Sequence, residues 1–130
     1  MKIVLTGPKG TGKSTVGALL SERLDVRHVE TDRAIEDLFA DEAGRRASCR
    51  EICREQGERA FRALEARAAE RVADEDFCVI STGGSTLMDP ASRRALRRDA
   101  VMVLLTADAD ELWRRVAADG VPAYLPDDDP

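Results

Sequence analysis

Apolar positions along the chain switch between two periods. Lys2-Ile3-Val4-Leu5-Thr6 is a short, nearly continuous apolar run, the pattern of a parallel strand buried on both faces. From Ser14 to Leu24 the spacing changes to threes and fours, with Val16, Leu19, Leu20 and Leu24 on one side, which predicts a helix. The alternation then repeats. Val26–Glu30 is expected as a second short strand, followed by a helix through Ile35 and Leu38 that Thr31 or Asp32 caps. Residues Ala40–Ala47 are polar, contain Gly44 and read as a connection. Ser48-x-x-Glu51 has the form of a capping box at the start of another helix. Gly57 interrupts, and Glu58–Ala73 is expected as a long helix burying Phe61, Leu64, Ala68 and Val72. Phe77–Ser81 is the expected third strand, and Asp89-Pro90 pairs an N-cap with proline at the first helical position. Val101–Leu105 is the expected fourth strand, and Asp108-x-x-Glu111 opens a last helix through Leu112 and Val116. The stretch from Pro122 to Pro130 is acidic and proline-rich, the composition of a mobile tail.

Strands separated by helices predict an α/β fold: a central parallel sheet with right-handed crossovers and helices on both faces, three layers in all. In such sheets ligands bind beyond the C-terminal ends of the strands. That rule brings three distant segments to one rim: Gly7–Ser14, Glu30-Thr31-Asp32 and Thr82–Ser85.

Composition narrows the setting. At 130 residues the chain is expected to form one domain, and its 43% hydrophobic and 35% charged content is that of a folded globular protein. A net charge of −5 argues against a nucleic-acid partner, which needs a basic face. The arginines at 93, 94, 97 and 98 are spaced as a solvated helix surface. No apolar run approaches the ~18 residues of a membrane span, and the N-terminus enters a strand without an apolar leader, so a cytoplasmic location without a membrane partner is expected. The three cysteines, Cys49, Cys53 and Cys78, fit a reducing compartment. Cys49 and Cys53 are four apart on a helix, but with His28 the single histidine they read as small core residues rather than a zinc clip. A monomer is expected.

The candidate chemistry is concentrated at the first loop. Gly7-Pro8-Lys9-Gly10-Thr11-Gly12-Lys13-Ser14 matches G-x-x-x-x-G-K-[ST] between a strand and a helix, the context a phosphate-binding loop requires. Gly7, Gly10 and Gly12 let successive N–H groups turn inward on a phosphate, and the helix N-terminus adds partial positive charge. Lys13 would reach the β- and γ-phosphates of a bound nucleotide, the Ser14 hydroxyl would sit on Mg²⁺, and Thr11 and Thr15 complete the nucleotide-binding set. Phosphoryl transfer needs little else than positioning, charge neutralisation and an oriented nucleophile. Asp32 is placed to orient an acceptor hydroxyl or accept its proton, a role compatible with capping a helix. If the second strand continues through residue 32, alternation puts Glu30 on the same side, where it could hold a water of the Mg²⁺ shell. Gly83 and Gly84 allow close backbone approach to a ligand. Arg62 could grip a carboxylate with two parallel hydrogen bonds, although composition alone makes it one surface arginine among many.

The combination of this loop with Thr31-Asp32-x-x-Ile35-Glu36, Gly57-Glu58-x-x-Phe61-Arg62-x-x-Glu65 and Thr82-Gly83-Gly84 resembles shikimate kinase over residues 1 to about 118. The resemblance implies a P-loop NTPase fold of the nucleoside-monophosphate-kinase type. It implies transfer of the γ-phosphoryl from ATP·Mg²⁺ to the 3-hydroxyl of shikimate. It implies that Asp32 contacts that hydroxyl, that Arg62 clamps the substrate carboxylate, that Gly83 and Gly84 contact substrate through backbone, and that Arg115 lines the adenine. It further implies a substrate-binding helical part at about 33–73 and a lid and tail at about 119–130. The chain departs from the family in Glu30 for an aspartate and Ser85 for a third glycine. No arginine precedes the proline in Gly120-Val121-Pro122-Ala123-Tyr124-Leu125. Family members continue past the point where this chain stops, which reads as C-terminal truncation or divergence. A related kinase with another small hydroxylated acceptor, or a weakly active ATP-binding homologue, are the alternative readings.

Overall fold

Strand β1, Lys2–Thr6, lies at the centre of the sheet, as its unbroken apolar run requires. The computed structural model of the chain describes residues 1–108, 110, 111, 114, 115 and 118. Helix α1 (Lys13–Leu24) leads to β2 (Arg27–Glu30), then α2 (Thr31–Ala43), α3 (Cys49–Gln56) and α4 (Glu58–Ala73). Strand β3 (Cys78–Ser81), a short 3₁₀ turn at Thr86–Met88, α5 (Pro90–Arg97) and β4 (Ala100–Leu104) complete the described elements. The four strands are all parallel in the order β2-β3-β1-β4, so each return passes over a face of the sheet. Val4 pairs with Ile80 and Met102, and Leu5 with Ser81 and Val103.

The α/β expectation is met, and the layers follow from strand alternation. Val4, Cys78 and Ile80 pack against Ala69, Val72 and Ala73 of α4 and Ala95 and Leu96 of α5. The neighbouring Ser81 faces the other way, where its hydroxyl meets the start of α1. A second cluster joins Ile35, Leu38 and Phe39 of α2 with Ile52 of α3 and Phe61, Leu64 and Ala68 of α4. This helical part supplies one wall of the site described below.

Several local signals are realised in the structure. Ser48 accepts the Glu51 N–H while Glu51 returns to the Ser48 N–H, closing the capping box. Helix α4 has the expected bounds and inward face. Asp89 caps α5 ahead of Pro90. The Asp108 carboxylate accepts the Glu111 N–H at 3.0 Å where helix resumes. Leu112, Val116 and the lid and tail at 119–130 lie outside the described residues.

Other expectations are corrected. Helix α1 buries Lys13, Gly17 and Ser21, while Val16, Leu19 and Leu24 are 37%, 56% and 48% exposed. Lys13 must point inward from the loop, and residues four and eight positions later share its direction. Gly17 suits that face because a Cβ there would overlap the His28 ring and the Ser81 hydroxyl. Neither Thr31 nor Asp32 caps α2: the cap position is Glu30, without a side-chain hydrogen bond, and Thr31 is already helical. Residues 40–43 are helix rather than connection, because Gly44 adopts φ 74° and returns its N–H to the Ala40 carbonyl. Phe77, at φ 49°, precedes β3 and is 70% exposed rather than part of the strand. Strand β4 runs one residue earlier than expected, from Ala100 to Leu104.

Candidate active site

The loop after β1 winds around a buried ammonium. Lys13 is 8% exposed, and its Nζ donates to the carbonyls of Gly7 at 2.5 Å and Pro8 at 2.9 Å. Gly12 takes the cap position of α1 at φ 89°, and no side chain caps that end. The N–H groups of the first turn therefore lack a side-chain acceptor, and the helix dipole is aimed at the same hollow. Burial pushes the Lys13 amine below its ordinary pKa; Asp32 opposes that shift and Lys9 adds to it. A buried cation held only by neutral carbonyls beside an uncapped helix start fits a phosphate. The sheet secures this loop from below. Ser81 Oγ donates to the Lys13 carbonyl at 3.0 Å, so its one proton is used and the His28 Nε2–H must donate to it at 2.8 Å.

Beside the loop lies a cavity of ≈ 650 Å³, its open mouth included. Asp32 of α2, Cys49, Arg50 and Cys53 of α3, and Glu58, Phe61 and Arg62 of α4 form its helical side. Gly84 and Ser85 from the turn after β3 and Lys9 from the phosphate loop close it. Asp32 opens into this space and keeps solvent-accessible surface there. Its carboxyl pKa is nevertheless raised, first by the protein packed around it, then by Glu36 and Glu65, with Lys9 pulling the other way. The Asp32 carboxylate rests against Gly83, where any Cβ would overlap it.

Arg62 is held from behind. Its NH1 donates to Glu65 Oε1 at 3.1 Å and to the Ser85 carbonyl at 3.4 Å. Glu65 is 2% exposed, and its second oxygen accepts from the hydroxyls of Ser85 at 3.1 Å and Thr86 at 3.4 Å. A carboxylate so buried needs this full set of partners. It fixes the guanidinium against the turn after β3 while leaving it on the cavity wall.

The site's three segments invite comparison with known proteins. A family profile described as shikimate kinase matches residues 9–130. The chain belongs to the shikimate kinase family. It is similar to the shikimate kinases of Geobacter metallireducens, at 41% identity over 126 residues, and Caldicellulosiruptor bescii, at 34% over 127. Those matches take in 97% and 98% of this chain but 67% and 70% of the relatives. The solved shikimate kinase from Acinetobacter baumannii in complex with shikimate superposes with a TM-score of 0.80 at 28% identity, covering 91% of this chain and 63% of that one. The chain thus spans just under two thirds of that structure's length.

Within this shikimate kinase framework, the residues singled out from sequence do not all converge. Lys13, Ser14 and Thr15 begin α1 above the loop of Gly7, Gly10, Thr11 and Gly12, and Asp32, Arg62 and Gly84 line the adjoining cavity. Arg115 reaches back to this rim, its NH1 donating to the Gly10 carbonyl at 2.6 Å and its Nε to Glu111 at 2.8 Å. Gly83 has a reason to be glycine that its sequence did not show. Its N–H donates to Thr31 Oγ1 at 2.7 Å, and the absence of a Cβ leaves room for Asp32. Glu30, where β2 ends, lines an outer groove with Arg33, Asp37 and Arg71 rather than the cavity wall, although its charge still acts on Asp32. The alternation argument required the strand to continue, and helix begins instead at Thr31.

Sequence reading missed Glu65, Thr31 and Ser85 as the hydrogen-bonding frame of the site, and Arg50 as a cavity residue. Glu65 carried a signal, standing three residues after Arg62 on one helix face. Cys49 and Cys53 pack against the core of α2, α3 and α4 as expected and also line the cavity, and Cys78 is core. The Cys49 thiol donates to the Asp32 carbonyl at 3.5 Å, and burial pushes its pKa far up, so it stays protonated. Among the described residues no cluster of three or more His, Cys, Asp or Glu could hold a metal, and no helix is long and apolar enough to cross a membrane.

Proposed function

We propose that this chain is an ATP-dependent kinase that phosphorylates the 3-hydroxyl of shikimate. One observation carries the reading: Asp32, Arg62 and a phosphate-loop residue line a single cavity directly beside the buried Lys13. The ligand named for the A. baumannii structure supports the choice of acceptor.

Bound ATP·Mg²⁺ supplies the phosphoryl group and the metal's charge. The chain's own residues do the rest. The N–H groups from Gly10 to Ser14 and the Lys13 ammonium bind phosphate oxygens, with Thr11 and Thr15 beside them, and the Ser14 hydroxyl is the metal-side ligand. Asp32 orients the acceptor hydroxyl and takes its proton as the new bond forms. Arg62 receives the acceptor carboxylate, held in readiness by Glu65, and Gly84 gives the acceptor ring room against the turn after β3. Arg115, which donates to the Gly10 carbonyl, would cover the adenine when the nucleotide is bound. Residues of about 33–73 act as the acceptor-binding wall of a single domain. A cytoplasmic monomer acting on a small molecule, without nucleic acid or membrane, completes the proposal.

The acceptor assignment is tested through Arg62. Arg62→Lys keeps the charge but loses the two-pronged grip. It is expected to raise the KM for shikimate about 10- to 100-fold, with a smaller effect on kcat and none on the KM for ATP. Steady-state kinetics with each substrate varied separates these effects. An unchanged shikimate KM would remove Arg62 from the acceptor site and, with it, the reason for a carboxylate-bearing acceptor.

A further inference from the structure

Lys9, Arg50 and Arg62 line the acceptor cavity beside Lys13, and Lys13 and Arg62 are already engaged. Lys13 is held by the Gly7 and Pro8 carbonyls, and Arg62 by Glu65 and Ser85. Lys9 is the one residue of Gly7–Ser14 that lines the cavity shared by Asp32 and Arg62. Its side chain is half-buried, and among the described residues its ammonium makes no hydrogen bond or ion pair. Its charge acts on both sides of the junction: it opposes the ammonium form of Lys13 and favours the carboxylate form of Asp32. Lys9 therefore stands within electrostatic reach of the group that holds the donor phosphate and the group that orients the acceptor.

Phosphoryl transfer between those groups passes negative charge through the space that separates them. The bond from the γ-phosphorus to its bridging oxygen breaks, and its electron pair leaves with ADP. The acceptor oxygen bonds to phosphorus, and its proton passes to Asp32. Charge spreads meanwhile over the equatorial oxygens of the moving group, where a pre-placed cation lowers the barrier most. We infer that Lys9 is a catalytic residue, the cation that neutralises the phosphoryl group in transit. The inference rests on the kinase reading above and adds a residue to its machinery. A compact ammonium on a flexible stem suits the task, because it can follow the group as it moves. Lys9 forms no covalent bond in this step.

The test uses the full chain with Lys9→Met, which keeps the stem and removes the charge, and Lys9→Arg, which keeps the charge. Turnover is measured with saturating ATP·Mg²⁺ and shikimate. Calorimetry compares the affinity for ADP·Mg²⁺ alone with that for ADP·Mg²⁺ plus aluminium fluoride, whose fluoroaluminate imitates the moving phosphoryl group. Lys9→Met is expected to lower kcat about 10- to 100-fold and fluoroaluminate-complex affinity by a similar factor, with ADP affinity held within about threefold. Lys9→Arg is expected to recover most of both losses. Lys9→Met with kcat and fluoroaluminate affinity within about twofold of the parent would overturn the inference. So would an equal loss for ADP alone, which would make Lys9 a ground-state binding group, or a parent that gains no affinity from fluoroaluminate. A parent that leaves shikimate unphosphorylated would reject the acceptor reading instead, and the fluoroaluminate comparison would still decide the role of Lys9.

Discussion

Asp32→Asn is expected to lower kcat about 10²- to 10⁴-fold while affinity for ATP stays within about threefold. The substitution preserves the side chain's shape against Gly83 and removes its charge together with its capacity to take a proton. The pH dependence should change as well. Packing, Glu36 and Glu65 raise the Asp32 pKa, so the acid limb of the parent's kcat/KM should lie above the ordinary carboxylate range. The variant should lack that limb. Stability should move in the opposite direction. A folded pKa above the unfolded value means that the folded chain holds this proton more tightly. The parent's stability therefore falls as pH rises through the raised value, and the asparagine variant should be the more heat-stable form at neutral pH. That advantage should vanish below the ordinary carboxylate pKa. A kcat close to the parent's, or an acid limb that survives the substitution, would take Asp32 out of the chemistry.

Lys13→Met is expected to lower kcat/KM for ATP by about 10²- to 10³-fold or more, without lowering the melting temperature of the ligand-free chain. The buried ammonium is costly to the fold, as its depressed pKa records. Its cost is present at neutral pH and is relieved as pH rises through the lowered folded value. Methionine keeps the apolar stem and removes the charge, so the loop loses two hydrogen bonds to carbonyls but also a desolvated cation. Thermal denaturation with and without ATP·Mg²⁺ makes the contrast visible. The parent should gain stability from the nucleotide by mass action, and the variant should gain little. Equal nucleotide stabilisation in both would show that Lys13 is not the phosphate-binding cation.

Strands and helix ends were legible wherever local chemistry decides them. The apolar run at 2–6, the Ser48–Glu51 box and the Asp89-Pro90 cap each carry their outcome in a few adjacent residues. The rotation of α1 was not legible in the same way. Apolar spacing pointed to Val16, Leu19 and Leu24, but the need to bring Lys13 inward sets the helix's phase from outside the periodic segment. Gly83 shows a similar limit. Its type was readable and its reason was not, because the neighbour that forbids a side chain is Asp32, 51 positions earlier in the chain. For Glu30 the strand-alternation argument did not apply, because helix begins at Thr31, one residue after it. Glu65 lay within a recognised block, yet its task became visible only once Arg62, Ser85 and Thr86 stood around it.

The account's central claim is that a triphosphate held at Lys13 faces an acceptor hydroxyl held at Asp32. Phosphorus NMR of the chain mixed with ATP·Mg²⁺ and shikimate tests it most directly. The account predicts that the γ-phosphate resonance declines while a single phosphomonoester signal, coupled to one carbinol proton at the 3-position, grows in equal measure. Saturable nucleotide binding with no phosphomonoester formed would contradict it.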